Sequence, residues 1–329
     1  MAPPKPTLPT LPPEHRAPPR VILLAGGEGR RLRALTRDAN GLAVPKQFCD
    51  FGSGRSLLSR ALDRARSLSP PERIIAAVAS AHERWWSREL HELPPSNVVA
   101  QPVNRGTAAG LLLPLLHPHG NEADDVVVML PCDHHVERED RFADGLRRAV
   151  AAASEDAETV FLLGLTPDGP AADYGWIVPG EQVGPGIRRV EAFIEKPSPE
   201  QSAALWRRGG RWSSFVLVAR RSALIELYRL AVPELVSVLE QALSGHAALS
   251  GTALARHLEA DFLLLPPGDL SRDVLEPSRQ RLAMIDVPPC GWSDLGTPDR
   301  LERWRAAGYR IPVTSEASSS RARLLTAGS

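Results

Sequence analysis

The chain has 329 residues, long for one domain and short for three, and with 43% hydrophobic and 24% charged residues it has the make-up of an ordinary globular protein. Lysine plus arginine and aspartate plus glutamate both total 39, so the net charge is zero and the basic excess of a nucleic-acid binder is missing. No apolar run approaches a membrane span, no apolar signal core opens the chain, and the scattered Cys49, Cys132 and Cys290 form neither a CxxC zinc knuckle nor a disulfide framework. These features predict a cytoplasmic protein with reduced, buried thiols and no nucleic-acid or membrane partner.

Residues 1–19 carry eight prolines and little apolar periodicity, which predicts a disordered or polyproline leader. "RVILLAGG" then reads as a buried strand, "SLLSRALDRARSL" as a helix, "RIIAAVAS" as a strand and "SAHERWWSREL" as a helix. The alternation continues with "NVVAQP" (strand), "TAAGLLLPLL" (helix), "DVVVMLPCD" (strand), "DRFADGLRRAVAAA" (helix) and "TVFLLGL" (strand). Apolar strands separated by amphipathic helices predict an α/β fold with a mostly parallel sheet covered on both faces. Past residue 170, "YGWIVPG", "IRRVEAFIEKP" and "RWSSFVLVAR" read as short strands. "SALIELYRLAVPELVSVLEQAL" reads as helical, with Pro233 marking a break or a new first turn. Residues 20–310 are expected to form one unit, with room for a short closing helix, and the Ser/Ala-rich residues 311–329 a frayed tail.

In an open α/β sheet, ligands bind beyond the carboxyl ends of the strands, so the loop after the first strand draws notice. It reads "LLAGGEGRRL". The Walker pattern GxxxxGK[ST] is missing, and Leu32 stands where a dinucleotide fingerprint needs its third glycine. What remains is a glycine-rich turn whose amides can wrap a phosphate, flanked by Arg30 and Arg31.

AGGxGxRL followed by LT and by "PKQF" resembles the sugar-1-phosphate nucleotidyltransferases, and the KQF form is most similar to the mannose-1-phosphate guanylyltransferases. "QPVNRGTAAG", "LPCDHHV", "YGWI", "FIEKP" and "GWSDLGT" match further family motifs in the expected order across residues 21–300. Four positions depart from the family pattern. Arg30 replaces a small hydroxyl residue, Ala34 a proline, Ser213 the asparagine of WNSG, and Phe215 its glycine. The resemblance implies a Rossmann-like, GT-A-like nucleotidyltransferase domain. It also implies attack of a sugar-1-phosphate on the α-phosphorus of GTP, giving GDP-mannose and pyrophosphate. A thymidylyl- or uridylyltransferase acting on glucose-1-phosphate and a non-catalytic nucleotide-sugar sensor are the alternatives. A homodimer is a further expectation.

The same resemblance implies roles for individual residues. Arg31, Lys46 and Lys196 are the expected catalytic cations. Arg31 would meet the triphosphate, Lys46 the α-phosphate and Lys196 the sugar phosphate. Leu24, Ala25, Gly26, Gly27, Gly29 and Arg30 would form the phosphate loop, and Gln101, Asn104, Arg105, Gly106 and Thr107 a polar loop for base and ribose. Tyr174, Gly175, Glu195 and Ser213 would face the sugar. Asp133, at the end of its strand, and Asp294 would hold Mg2+ together with phosphate oxygens. His134 and His135 lack a matching His/Cys set, so packing and hydrogen bonding are expected of them.

Overall fold

β1 (Arg20–Ala25), β2 (Ile74–Ala79), β3 (Val98–Gln101) and β4 (Val126–Pro131) are apolar runs buried at nearly every position, as the sequence predicts. They pair in parallel in the order β3–β2–β1–β4. A parallel neighbour requires a crossover, and α1 (Leu57–Arg66), α2 (Glu83–Glu89) and α3 (Gly106–Leu116) supply the three. A computed structural model of the chain describes residues 17–38, 40–51, 54–117, 124–246 and 248–306, with the side chains of residues 30, 303, 305 and 306 left aside.

The second half follows α4 (Glu139–Glu155) and is of a different kind. It contains β5 (Val160–Leu165), β6 (Gly175–Gly184), β7 (Ile187–Glu195), α5 (Pro199–Arg207), β8 (Arg211–Arg220), α6 (Arg221–Ala231), α7 (Pro233–Leu243), α8 (Gly251–Leu264), β9 (Leu282–Val287) and α9 (Pro298–Ala306). The sheet has nine strands in the order β3-β2-β1-β4-β8-β5-β9-β7-β6. β8 runs antiparallel between β4 and β5, and β5 with β9 is the one parallel pair added after β4. The mixed sheet thus keeps its parallel pairs mainly in the first half. β8 also pairs with β6, Trp176 opposite Trp212, so the pairings run β8–β5–β9–β7–β6 and return to β8.

Three expectations need correction. β6, β7 and β8 are not short but 10, 9 and 10 residues long, because each pairs along most of its length. Pro19, assigned to the leader by composition, is buried, and its carbonyl accepts the Ser69 hydroxyl. α5, α8 and β9 are elements that the periodicity reading passed over. Pro233 opens α7 at its first turn after a one-residue break, and α9 is the short helix expected at the end. Residues 1–16 and 307–329, with most of the expected leader and the whole tail, lie outside the described residues.

Side chains alternate between two cores. Val21, Leu23 and Ala25 of β1 join Leu58, Phe142 and Trp304 on one face, and Ile22 joins Leu112, Leu224 and Leu258 on the other. Cys49, Cys132 and Cys290 are all free and buried. No helix among the described residues is long and apolar enough to cross a membrane.

Candidate active site

After β1 the chain turns outward to β2 and β3, then returns to lay β4 on the other side of β1. Leu24 stands opposite Pro131 in that pair, so the loop after β1 and the residues after β4 leave the sheet side by side. This is the switch point at which a doubly wound sheet opens a crevice. A cleft of about 440 Å³ lies there. Leu24, Gly26, Gly27, Gln101, Asn104, Gly106 and Thr107 line one side, and Asp173, Tyr174, Gly175, Glu195, Lys196, Ser213 and Phe215 the other. Arg31, Asp133 and Asp294 also face it.

The glycine-rich loop is fixed from beneath. The Gln47 amide donates to the carbonyls of Ala25 at 2.9 Å and Gly27 at 2.8 Å. A Cβ on Gly26 would sit 2.2 Å from Gln101 Nε2, so only glycine lets Gln101 lie against the loop. Gln101 is buried and its Oε1 has no hydrogen-bond partner, an orphaned acceptor at the cleft wall. Asn104 donates to Glu28 and accepts the Gly106 amide. Gly106 has φ +84°, and a Cβ there would come within 2.0 Å of the Gly268 carbonyl oxygen. The Thr107 hydroxyl accepts the Leu270 amide at 2.8 Å.

Several expected contacts lie elsewhere. Ala25 is fully buried in the core, with its carbonyl held by Gln47, and does not line the cleft. Gly29 packs on the backbone of Lys46, under the loop rather than in the cleft. Arg105 turns away, donating to the carbonyls of Phe262 and Leu263 at the end of α8, because free carbonyls there attract a cation. The Arg30 side chain lies outside the described atoms.

Lys46 differs most from expectation. It is only 6% exposed and presents no free ammonium to the cleft. Its Nζ pairs with Asp133 Oδ2 at 2.8 Å and donates to the Asp294 carbonyl, so it joins the two expected metal residues. A buried ammonium must be paired, and these are the acceptors within reach. Burial, the largest influence, pushes the Asp133 carboxyl up, but the Lys46 charge and hydrogen bond, His134 and a backbone amide together outweigh it and the net shift is downward. Asp294 is likewise held below the usual range, burial being overcome by Lys46 and Arg300 together with the Gly296 amide and His134.

Asp294 Oδ1 accepts from Arg300 Nη1 at 2.6 Å, the Gly296 amide at 2.9 Å and the Tyr174 hydroxyl at 3.1 Å. Arg300 also donates to Asp173, whose other oxygen lies 4.0 Å from Arg31. The Arg31 side chain is 59% exposed at the mouth. Across the cleft, Lys196 Nζ pairs with Glu195 Oε1 at 2.8 Å, and the Glu195 amide donates to Glu276. Gly175 admits that carboxylate, since a Cβ would stand 2.8 Å from Glu195 Oε2. Lys196 and Phe215 hold φ of +49° and +59°, a region costly for residues with a side chain. Phe215 is thus strained where the family pattern has glycine.

His134 beside Asp133 is pushed down to about 4 by burial, so its 3.6 Å contact with that carboxylate is made by a neutral ring at pH 7. It accepts the Trp292 indole N–H. His135 lies against Arg60 and pairs its backbone with Ser293. Both therefore pack and hydrogen-bond. Among the described residues no three His, Cys, Asp or Glu side chains gather into a metal cage. Two ionised carboxylates still fit magnesium, which takes most of its oxygens from phosphates and water.

Sequence reasoning missed Arg300, Asp173 and the bracing role of Gln47. Gln47 sits inside the quoted PKQF motif and Asp173 directly before YGWI, so both had a nearby signal. Arg300 had none beyond its place six residues after Asp294.

The nucleotidyl transferase family profile matches residues 20–307. Mannose-1-phosphate guanylyltransferase RfbM of Salmonella typhimurium is 27% identical over 281 residues, 84% of this chain and 56% of its own. Mannose-1-phosphate guanylyltransferase of Sinorhizobium fredii is 28% identical over 295 residues, 86% of this chain and 54% of its own. The chain therefore spans about half the length of these curated relatives. A crystal structure described as mannose-1-phosphate geranyltransferase from Thermus thermophilus superposes with a TM-score of 0.71 at 29% identity, covering 84% of this chain and 76% of that one. With the profile spanning the sheet, the cleft and both aspartates, the chain belongs to the nucleotidyl transferase family, and within it is similar to mannose-1-phosphate guanylyltransferases.

Proposed function

We propose that the chain transfers a guanylyl group from GTP to mannose-1-phosphate, giving GDP-mannose and pyrophosphate, with magnesium as cofactor. One observation carries this reading. A glycine-rich phosphate loop and the orphaned Gln101 acceptor form one side of a cleft, Glu195 and Lys196 stand on the other, and two ionised aspartates lie between.

The attacking phosphate is already an anion near neutral pH, so the protein needs no general base. Its task is to position two anions and offset their repulsion. The amides of Gly26 and Gly27 are placed to take triphosphate oxygens. Arg31, exposed at the mouth, can swing its fork onto the departing pyrophosphate. Lys196 meets the sugar phosphate, and Glu195 accepts from sugar hydroxyls. Gln101 stands at the cleft wall beside the place for the base. Asp133 and Asp294 would hold magnesium, which when bound neutralises phosphate oxygens. Lys46 would stabilise the two aspartates from below and act on the phosphate only by leaving them.

Pyrophosphate release from each of GTP, ATP, UTP and dTTP against mannose-1-phosphate and glucose-1-phosphate, with magnesium or EDTA, tests the reading. GTP with mannose-1-phosphate should be fastest by at least about tenfold, the scale of one lost hydrogen-bonding contact. Faster turnover of dTTP or UTP with glucose-1-phosphate would reassign base and sugar. No turnover of any pair would leave a sensor.

A further inference from the structure

Arg300 stands in the first turn of α9, where its amide donates to Thr297 Oγ1 and the following amide to the Thr297 carbonyl. A cation is disfavoured there, because the amino end of a helix carries partial positive charge. The residue is nevertheless 8% exposed, and three partners hold it. Nη1 donates to Asp294, Nη2 to Asp173, and the guanidinium lies 3.8 Å from the centroid of the Tyr174 ring. Tyr174 in turn donates to the same oxygen of Asp294 that Arg300 uses. The Gly296 amide makes a third donor to that oxygen, which leaves Oδ2 as the oxygen without one of these bonds. A carboxylate pinned through one oxygen by three donors cannot rotate freely.

We infer that Arg300 is a positioning residue that fixes the Asp294 carboxylate for the metal, with its second arm on Asp173 tying α9 to the cleft mouth. The inference rests on the reading of Asp294 given above. Arg300 reaches neither substrate nor reacting atoms; it acts through Asp294. A merely structural arginine would be felt in stability and in every kinetic constant alike. A positioning arginine is felt where Asp294 acts and spares the sugar phosphate, which is bound across the cleft.

The test compares GTP affinity with magnesium and with EDTA, read from intrinsic tryptophan fluorescence, since Trp292 lies 5.1 Å from Tyr174 ring to ring. The ratio of the two affinities isolates the contribution of the metal without turnover. Arg300→Met should cut that ratio tenfold or more and leave the KM for sugar phosphate within twofold. Arg300→Lys, which keeps one charged donor, should recover most of the ratio. Asp173→Asn should preserve it, because the Asp294 contact remains. Should Arg300→Met fail to fold, Arg300→Gln keeps a donor without the charge, and its ratio should fall at least threefold. A large wild-type ratio shared by a folded Arg300→Met or Arg300→Gln overturns the inference alone. A wild-type ratio near one overturns the metal assignment and this inference with it.

Discussion

On the side of the cleft built by β1, β3 and α3, glycines bring the backbone to the wall beside Gln101, Asn104 and Thr107, and Gly26 and Gly106 are glycine because other atoms occupy the space of a side chain. On the side built by β6, β7, β8 and α9, charged side chains form the wall and are already engaged: Lys196 with Glu195, Arg300 with Asp294 and Asp173. The first side is vulnerable to added atoms and the second to removed ones. The difference follows from the ligands each would take. Phosphates are read well by amides at short range, whereas a sugar offers hydroxyls in several directions and needs reaching side chains.

Removal of charge should have the largest effect. Asp294→Ala and Asp133→Ala should each lower kcat by about three orders of magnitude or more, the scale of losing a metal ligand together with its charge. The assay is pyrophosphate release over a magnesium titration. Near-normal rates at limiting magnesium would show that the aspartates do not hold the metal. Asp294→Ala should also destabilise the fold by about 3 kcal/mol, because Arg300 would be left buried with a single carboxylate partner. Arg31→Ala should cost roughly two to three orders of magnitude in kcat, as for one preorganised transition-state donor. Arg30→Ala should act mainly on the KM for GTP. Steady-state kinetics of the two variants check this, and a reversed order would move the phosphate contact to Arg30.

Additions on the backbone side separate two kinds of glycine. Gly106→Ala combines a left-handed φ with a backbone oxygen at 2.0 Å, and should destabilise by about 3 kcal/mol in a denaturant titration. Gly27→Ala meets nothing within 4 Å, so its stability should stay within about 0.5 kcal/mol while the KM for GTP rises. Equal losses in the two would mean that the loops, not the contacts, set the cost.

The pH dependence joins the two sides. Burial lowers His134 and His135 to about 4, below the ordinary 6.5 of an unfolded chain. Between those values the unfolded chain binds the proton and the folded one does not. Stability is therefore lost as pH falls from about 6.5 toward 4, at about 1.4 kcal/mol per pH unit for each such histidine. His82 and His117 shift in the same direction. Denaturation midpoints of His134→Gln should show a shallower acid slope than wild type, and an identical slope would remove His134 from the account. The smallest expected effect is that of Ser213→Asn, a several-fold change in sugar-phosphate KM with the GTP KM unmoved. An unaltered sugar profile would turn Ser213 away from the substrate.

Much of the first half was legible because short apolar runs and amphipathic helices alternate there with little interruption. β9 was passed over, because "LAMIDV" is a short isolated apolar run closed by "PPCGW" with no flanking amphipathic helix to mark it, though it lies centrally between β5 and β7. α5 carried a local signal that was passed over, the Ser198–Gln201 capping box. Within the cleft, Asp133 and the glycine loop were readable from strand ends. Asp294 was readable only from family likeness, because its closeness to Asp133 arises from the return of the chain after β9. The burial of Lys46 and the turning of Arg105 toward α8 were illegible, since each is decided by a partner more than 150 residues away in sequence.

The ring of pairings through β8, β5, β9, β7 and β6 has a consequence for self-association. β6 ends the strand order and meets β8 at Trp176 and Ile177 only, so the ring closes at one corner and the rest of β6, from Val178 to Gly184, keeps an outer edge paired to no named strand. At the opposite end β3 is only four residues long, and Val99 bridges to Gly251 at the start of α8, which covers part of that edge. Among the described residues the β3 end is therefore the better guarded against strand addition, and β6 is the edge left open to it.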